Sequence, residues 1–310
     1  MKTCIPKYYI INLYKFKTLK NPVSAKKPLL KMMKEANVRG TLLLSNEGIN
    51  GSVSGEKEGV NKVLSYLILD LGLTDLFYQA SYHYAVPFNR AKVKIRKEIV
   101  TLGVDDLNTT KLSGIYINPK NWNELILNPE VLLIDSRNDY EIKIGSFKNS
   151  VNPNTKSFRE FPTYAAQNLD KNKHKKIAMF CTGGVRCEKS TAYLKTQGFE
   201  EIYHLKGGIL KYLSEIKEDD TLWEGECFVF DSRISVNHRL EKGKYDQCYA
   251  CRCAITELDK KRPEYHSGLS CHNCYGRHNK KKTTSLLERR RQNILSSKPA
   301  SIASGAKNNV

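Results

Sequence analysis

One segment constrains this chain more than any other. The apolar run Ile177–Phe180 passes directly into Cys181-Thr-Gly-Gly-Val-Arg186-Cys187, and a helical pattern follows as far as Gln197. An apolar run without alternation is what a strand covered on both faces requires, as in a parallel sheet flanked by helices. Val131–Ile134, ending in Asp135-Ser-Arg137, is a second such run, and Glu201–Leu205 supplies a third strand. Further helical segments are predicted at Tyr164–Leu169 and after Gly208. The reading is a small α/β domain with a parallel sheet. Ligands in such folds bind beyond the carboxyl ends of the strands, the edge on which Cys181 falls.

Each part of the Cys181 loop has a chemical use. Thr182, Gly183, Gly184 and Val185 separate Cys181 from Arg186. Adjacent glycines let backbone N–H groups turn inward and form an anion cradle at a helix N-terminus. The same groups lower the pKa of a thiol at that position, which makes Cys181 a candidate nucleophile. The alternative is a buried structural cysteine, but packing does not explain a thiol between an apolar strand and a Gly-Gly turn. Arg186 either orients an anion or pairs with Glu188. Cys187 is either a resolving thiol or a packed one. A protein-tyrosine-phosphatase loop holds one residue more between its Cys and Arg. The smaller cradle here suits a persulfide sulfur or a small oxyanion better than a phosphate ester.

The first hundred residues alternate strand and helix signals. Tyr8–Phe16 reads as a strand, and a helix runs from Pro22 to Ala36 with Ser24 as its N-cap. Gly40–Leu44 and Ile49–Ser54 flank the turn Asn46-Glu-Gly-Ile-Asn-Gly51. Glu56–Leu71 has helical spacing, and Lys92–Leu102 reads as a half-exposed strand. The order β-α-β-β-α-β is ferredoxin- or acylphosphatase-like, an α+β sheet with one open face. Lys92, Lys94 and Arg96 would line that face, as phosphate contacts or as ordinary edge protection.

Charge is unevenly placed. The formal charge is +19; residues 1–121 carry 19 Lys+Arg against 9 Asp+Glu, residues 122–224 carry 15 of each, and residues 275–310 carry 9 against 1. A neutral middle between basic ends fits a chain that grips a polyanion at its ends and does chemistry at its centre. No apolar run reaches the ~18 residues of a membrane span. Nor does the short stretch Tyr8–Leu13 carry a cleavage site, so a cytoplasmic protein is expected. Nine cysteines there point to reactive thiols or metal ligands rather than disulfides. Cys248-Tyr-Ala-Cys251 and Cys271-His-Asn-Cys274, 19 residues apart, have zinc-ribbon spacing and read as a closed structural zinc site. Cys253, His266 and His272 are alternative ligands.

Several longer motifs carry a resemblance. The Cys181 loop with its following Cys-Glu-Lys, Asp135-Ser-Arg137, Ser157-Phe-Arg-Glu-Phe-Pro162 and Gly198-Phe-Glu-Glu-Ile-Tyr-His-Leu-Lys-Gly-Gly-Ile-Leu-Lys-Tyr212 resemble a rhodanese homology domain. Together with Asn46–Gly51 and Gly225-Glu-Cys-Phe-Val-Phe-Asp231, they resemble the bacterial tRNA uridine hydroxylases, the UPF0176 group, over residues 7–275. The resemblance implies oxygen-dependent conversion of the wobble uridine of tRNA to 5-hydroxyuridine, with Cys181 catalytic. Molecular oxygen would be the co-substrate, the electron donor is unassigned, and the partner is tRNA rather than DNA or a membrane. A sulfurtransferase carrying a persulfide on Cys181 is the alternative, and an RNA-binding zinc protein with a vestigial rhodanese fold is a third reading. The expected division is a basic RNA-binding domain over 1–105, a linker over 106–121 and a rhodanese-like domain over 122–224. A Cys-rich module over 225–276 and a basic, unstructured tail over 277–310 follow, the tail being an RNA-contacting arm or merely solvated.

Overall fold

The computed structural model describes residues 7–297. The chain divides into two units after Lys244.

The first unit opens with β1 (Tyr8–Phe16), α1 (Pro22–Glu35), β2 (Arg39–Ser45), β3 (Gly48–Gly55), α2 (Lys57–Leu69), β4 (Phe77–His83) and β5 (Ala91–Ile95). They build one sheet in the order β4-β1-β3-β2-β5, antiparallel except where β5 joins β2. Both helices cover the same face. Leu29, Met33, Val60, Val63 and Leu67 pack with Ile11, Leu13, Leu42, Leu44 and Val53. Strand side chains alternate between faces, so Asn12, Tyr14, Asn50 and Ser52 stand on the other side.

Three local expectations are corrected. Asn21, not Ser24, caps α1, its side chain accepting the Ser24 N–H at 3.1 Å, with Pro22 next in the first turn. The strand read over Lys92–Leu102 stops at Ile95, because side chains take the backbone donors a neighbouring strand would need. Glu47 accepts from the Ile99 N–H at 2.6 Å, and Glu98 from the Leu102 N–H at 2.9 Å. Strand β4 closes the β-α-β-β-α-β pattern instead, leaving β5 as a fifth strand. Its sequence, Phe-Tyr-Gln-Ala-Ser-Tyr-His, has no apolar alternation to announce it.

The chain continues through α3 (Thr109–Leu112), β6 (Ile115–Ile117), α4 (Pro119–Leu127), β7 (Val131–Asp135), α5 (Asp139–Ile142), β8 (Gly145–Phe147) and α6 (Phe161–Asn168). Then come β9 (Lys176–Phe180), α7 (Val185–Thr196), β10 (Glu201–Leu205), α8 (Gly208–Glu215) and β11 (Trp223–Gly225). The central sheet is parallel, in the order β6-β10-β9-β7. Residues 106–121 are therefore not simply a linker, since they supply edge strand β6 and begin α4. Nor does the Cys-rich module begin at residue 225. The strands β12 (Cys227–Phe228) and β13 (Ser235–Val236) pair, and Cys227, Val229 and Val236 join Phe180 and Trp223 in one core.

The second unit starts at Tyr245 and contains the paired strands β14 (Asp246–Gln247) and β15 (Ala254–Ile255) and the helix α9 (Lys280–Ser297). The tail expected to be unstructured is helical over this span. Leu286, 2% exposed, shares a core with Cys248, Ile255, Cys271 and Cys274, and Arg289 donates to the Tyr249 carbonyl. One buried leucine supplies the apolar anchor that the tail's composition conceals. The rest of the expected tail, 298–310, lies outside the described residues, among which no helix is long and apolar enough to cross a membrane.

Candidate active site

The strand-to-helix transition at Cys181 is built by two glycines that cannot be replaced without strain. Gly184 has φ +101°, and a Cβ there would lie 2.9 Å from the Tyr14 hydroxyl. Gly208, at the start of α8, has φ +65°, and its Cβ would meet the Cys181 carbonyl oxygen at 2.4 Å. That close approach lets α8 secure the loop: Ile209 N–H donates to the Cys181 carbonyl at 2.9 Å and Leu210 N–H to that of Thr182 at 3.1 Å. Gly183, by contrast, faces open space. Of the two adjacent glycines, only Gly184 is demanded by the backbone.

The loop concentrates donors on one sulfur. The Gly184 N–H donates to Cys181 Sγ at 3.1 Å. Burial by itself would raise the Cys181 pKa. The Cys187 thiol, the Arg186 charge and the backbone N–H groups of Cys187 and Arg186 outweigh it and lower the pKa from 9.0 to about 6. Cys187 moves the other way, pushed well above its ordinary value by burial and by the neighbouring sulfur. It is fully buried, with Ser136 Oγ at 3.4 Å from its sulfur. The pair is thus asymmetric: Cys187 donates and Cys181 holds the charge.

Arg186 does not pair with Glu188. It forms a buried two-pronged contact with Glu141, Nη1 to Oε2 at 2.7 Å and Nη2 to Oε1 at 2.8 Å. Glu188 instead accepts from Tyr14 and Tyr116. The guanidinium is held in place as a fixed charge beside the thiolate. Glu141 escapes a motif search for chemistry, although it follows Asn138 at the readable Asn-x-x-Glu spacing of a capping box and accepts the Asn138 N–H at 3.0 Å. Asp135 and Arg137 lie behind the loop and stay out of the cavity. Their buried ion pair, 2.6 Å, together with Arg137 donating to the Gly145 carbonyl at 2.6 Å, braces the end of β7.

Cys181 is only 1% exposed, yet it lines a cavity of about 360 Å³ whose opposite wall is the open face of the first sheet. Asn12, Asn50, Ser52 and Gln79 contribute polar groups to that wall, and Tyr14 and Phe77 contribute rings. Arg96 lines the cavity as well, while Lys92 and Lys94 are exposed on β5. Lys189, on α7, holds the two walls together. Its Nζ is 2.8 Å from Glu47 Oε2, 2.6 Å from Glu98 Oε2 and 3.1 Å from the Val100 carbonyl oxygen. This explains the glutamate of Asn46–Gly51 and the lysine after Cys187-Glu, neither of which the sequence assigns a role.

In the second unit, Cys248, Cys251, Cys271 and Cys274 bring their sulfurs within 4.8 Å of one another. Three of the separations are 3.7, 3.9 and 3.9 Å. A zinc–sulfur bond of ~2.3 Å gives a tetrahedron with an edge of ~3.8 Å, so the four thiols fit a metal ion such as zinc. His272 sits 3.4 Å from Asp259 and, like Cys253 and His266, stands outside the four-sulfur set.

Comparison with known families agrees with this architecture. Residues 8–99 match the UPF0176 acylphosphatase-like domain, and residues 119–215 match the rhodanese-like domain. A rhodanese-related protein from Thermoplasma volcanium is 26% identical over 33% of this chain and 92% of its own, with a TM-score of 0.27. The rhodanese-like domain of an Anabaena protein is 17% identical over 36% of this chain and 78% of its own, TM-score 0.30. An acylphosphatase from Coxiella burnetii is 10% identical over 30% of this chain and all of its own, TM-score 0.22.

Proposed function

For a chain that belongs to the UPF0176 family and joins its acylphosphatase-like domain to a rhodanese-like one, we propose the hydroxylation of a tRNA wobble uridine at carbon 5. The observation that carries the reading is the shared cavity. An ionised sulfur forms one wall and a polar, aromatic sheet face the other, beside the exposed cations of β5. A wobble base is unpaired in its loop and can enter such a space, where aromatic rings contact its face. The Cys181 thiolate adds to C6 of uracil, which gives C5 enolate character and makes it reactive toward an oxidant. Oxygen is the co-substrate: one atom enters at C5 and the other leaves as water, with two electrons from an external donor. Loss of the C5 proton and expulsion of the thiolate then restore the aromatic ring and Cys181. Lys92, Lys94 and Arg96 carry the phosphate contacts, and the four-sulfur metal site braces the second unit.

Nucleoside mass spectrometry of tRNA from a strain lacking this protein tests the reading. Wild type restores 5-hydroxyuridine and Cys181→Ser does not; normal 5-hydroxyuridine with the variant removes Cys181 from the reaction. The alternative, sulfur transfer through a Cys181 persulfide, is favoured by the inward N–H groups that would hold a terminal sulfur. Thiosulfate turnover without any change in tRNA would decide for it.

A further inference from the structure

The cavity wall facing Cys181 is laid out in register. Gln79 on β4 pairs with Asn12 on β1, which pairs with Ser52 on β3; in the next row Phe77 pairs with Tyr14, and Tyr14 with Asn50. All six line the cavity. Paired residues on one sheet face stand about 5 Å apart, so this wall offers hydrogen bonds to the edge of a flat ring and aromatic contact to its face.

Asn50 is the member whose polarity the structure determines. Its Nδ2 donates to the Ile99 carbonyl oxygen at 2.9 Å. A carbonyl oxygen only accepts, so the flipped amide would set two acceptors against each other. Oδ1 therefore keeps its lone pairs for a ligand in the cavity, beside the second Nδ2 hydrogen. Asn12 stands 2.5 Å from the Ser52 hydroxyl; with its Oδ1 accepting from that hydroxyl, its Nδ2 is left to donate.

Where Asn50 Oδ1 rather than its second Nδ2 hydrogen meets N3, the amide distinguishes the two RNA pyrimidines. Uracil has an N–H at N3 beside carbonyl oxygens, whereas cytosine has a lone pair at N3 beside an amino group. An acceptor meeting N3 of cytosine would leave both atoms desolvated and unpaired, a stronger ground for rejection than any difference in ring size. Resting on the reading of the site as one that modifies an RNA pyrimidine, we propose that Asn50 is the specificity-determining residue. Its Oδ1 accepts the N3–H of uracil in the cavity, and Asn12 Nδ2 donates to a ring carbonyl.

The test uses three anticodon stem-loop RNAs, identical except for uridine, cytidine or 3-methyluridine at the wobble position. Binding to the full-length protein is followed by fluorescence anisotropy. Wild type binds the uridine loop about tenfold more tightly than either of the others, the effect of one lost hydrogen bond with a buried partner. Asn50→Ala weakens the uridine loop and binds all three within about threefold. Retained discrimination by Asn50→Ala overturns the proposal. So does equal binding of 3-methyluridine and uridine by wild type, a comparison that needs no variant to fold. Failure here is separable from failure of the hydroxylase reading. Hydroxylation of tRNA by a protein that does not discriminate in binding removes Asn50 alone, whereas discrimination by a protein that leaves tRNA unmodified removes the reaction and keeps the pocket.

Discussion

Replacing Lys189 by methionine removes one ammonium from between two carboxylates and leaves its apolar stem nearly intact. The Lys189 side chain is 1% exposed, and those of Glu98 and Glu47 are 11% and 24% exposed. Breaking a buried ion pair from one side costs about 3–5 kcal/mol, because the abandoned charge stays desolvated. The partial exposure of Glu47 places the expectation at the lower end, about 3 kcal/mol. For a unit of this size that lowers the melting temperature by roughly 6–12 °C. Both tryptophans, Trp122 and Trp223, are buried in the first unit, so urea unfolding followed by tryptophan fluorescence reports on it alone. In a Glu47→Gln, Glu98→Gln background the same substitution should cost only about 1 kcal/mol, since no carboxylate is stranded. A loss below about 1 kcal/mol in the otherwise wild-type protein is the range of an exposed pair and would refute the clamp.

The remaining predictions concern the sulfurs. Alkylation of Cys181 by iodoacetamide, followed by peptide mass spectrometry across pH, has its midpoint at about 6, and the Cys187 peptide stays unlabelled at neutral pH. A midpoint near 9 would remove the cradle argument. The folded state binds the thiolate form, so the stabilisation it brings is complete above the unfolded pKa near 9 and is lost as pH falls through 6. Gly184→Ala forces a Cβ toward Tyr14 and moves the N–H that meets Cys181 Sγ; the alkylation midpoint rises, and an unchanged midpoint would show that this donor is dispensable. Metal analysis returns one zinc per chain. Chelation lowers the helical circular dichroism carried by α9 and leaves tryptophan emission unchanged, because the tryptophans lie in the other unit.

The folds of both domains and the place of the Cys181 thiol at the end of a buried strand were legible in the sequence because their signals are local. Apolar runs specify buried parallel strands, and a thiol next to Gly-Gly has no packing rationale. The strand Phe77–His83 was not legible, since its two faces meet different neighbours and neither is purely apolar. Nor was helix α9, which depends on one leucine reaching a core that forms elsewhere.

Periodicity, glycine placement and cysteine spacing, all short-range properties, determined by themselves most of the elements, the thiol at the end of a buried strand and the four cysteines that could ligate a metal. Tertiary structure decided which partners those groups meet. Arg186 meets Glu141 rather than Glu188, Lys189 ties Glu47 to α7, and Asn50 faces Cys181 across a shared cavity. Partners so far apart in the chain leave no periodic trace; only the packing of one domain on the other, which excludes water and confines each polar group to a few neighbours, selects among the pairings the composition allows.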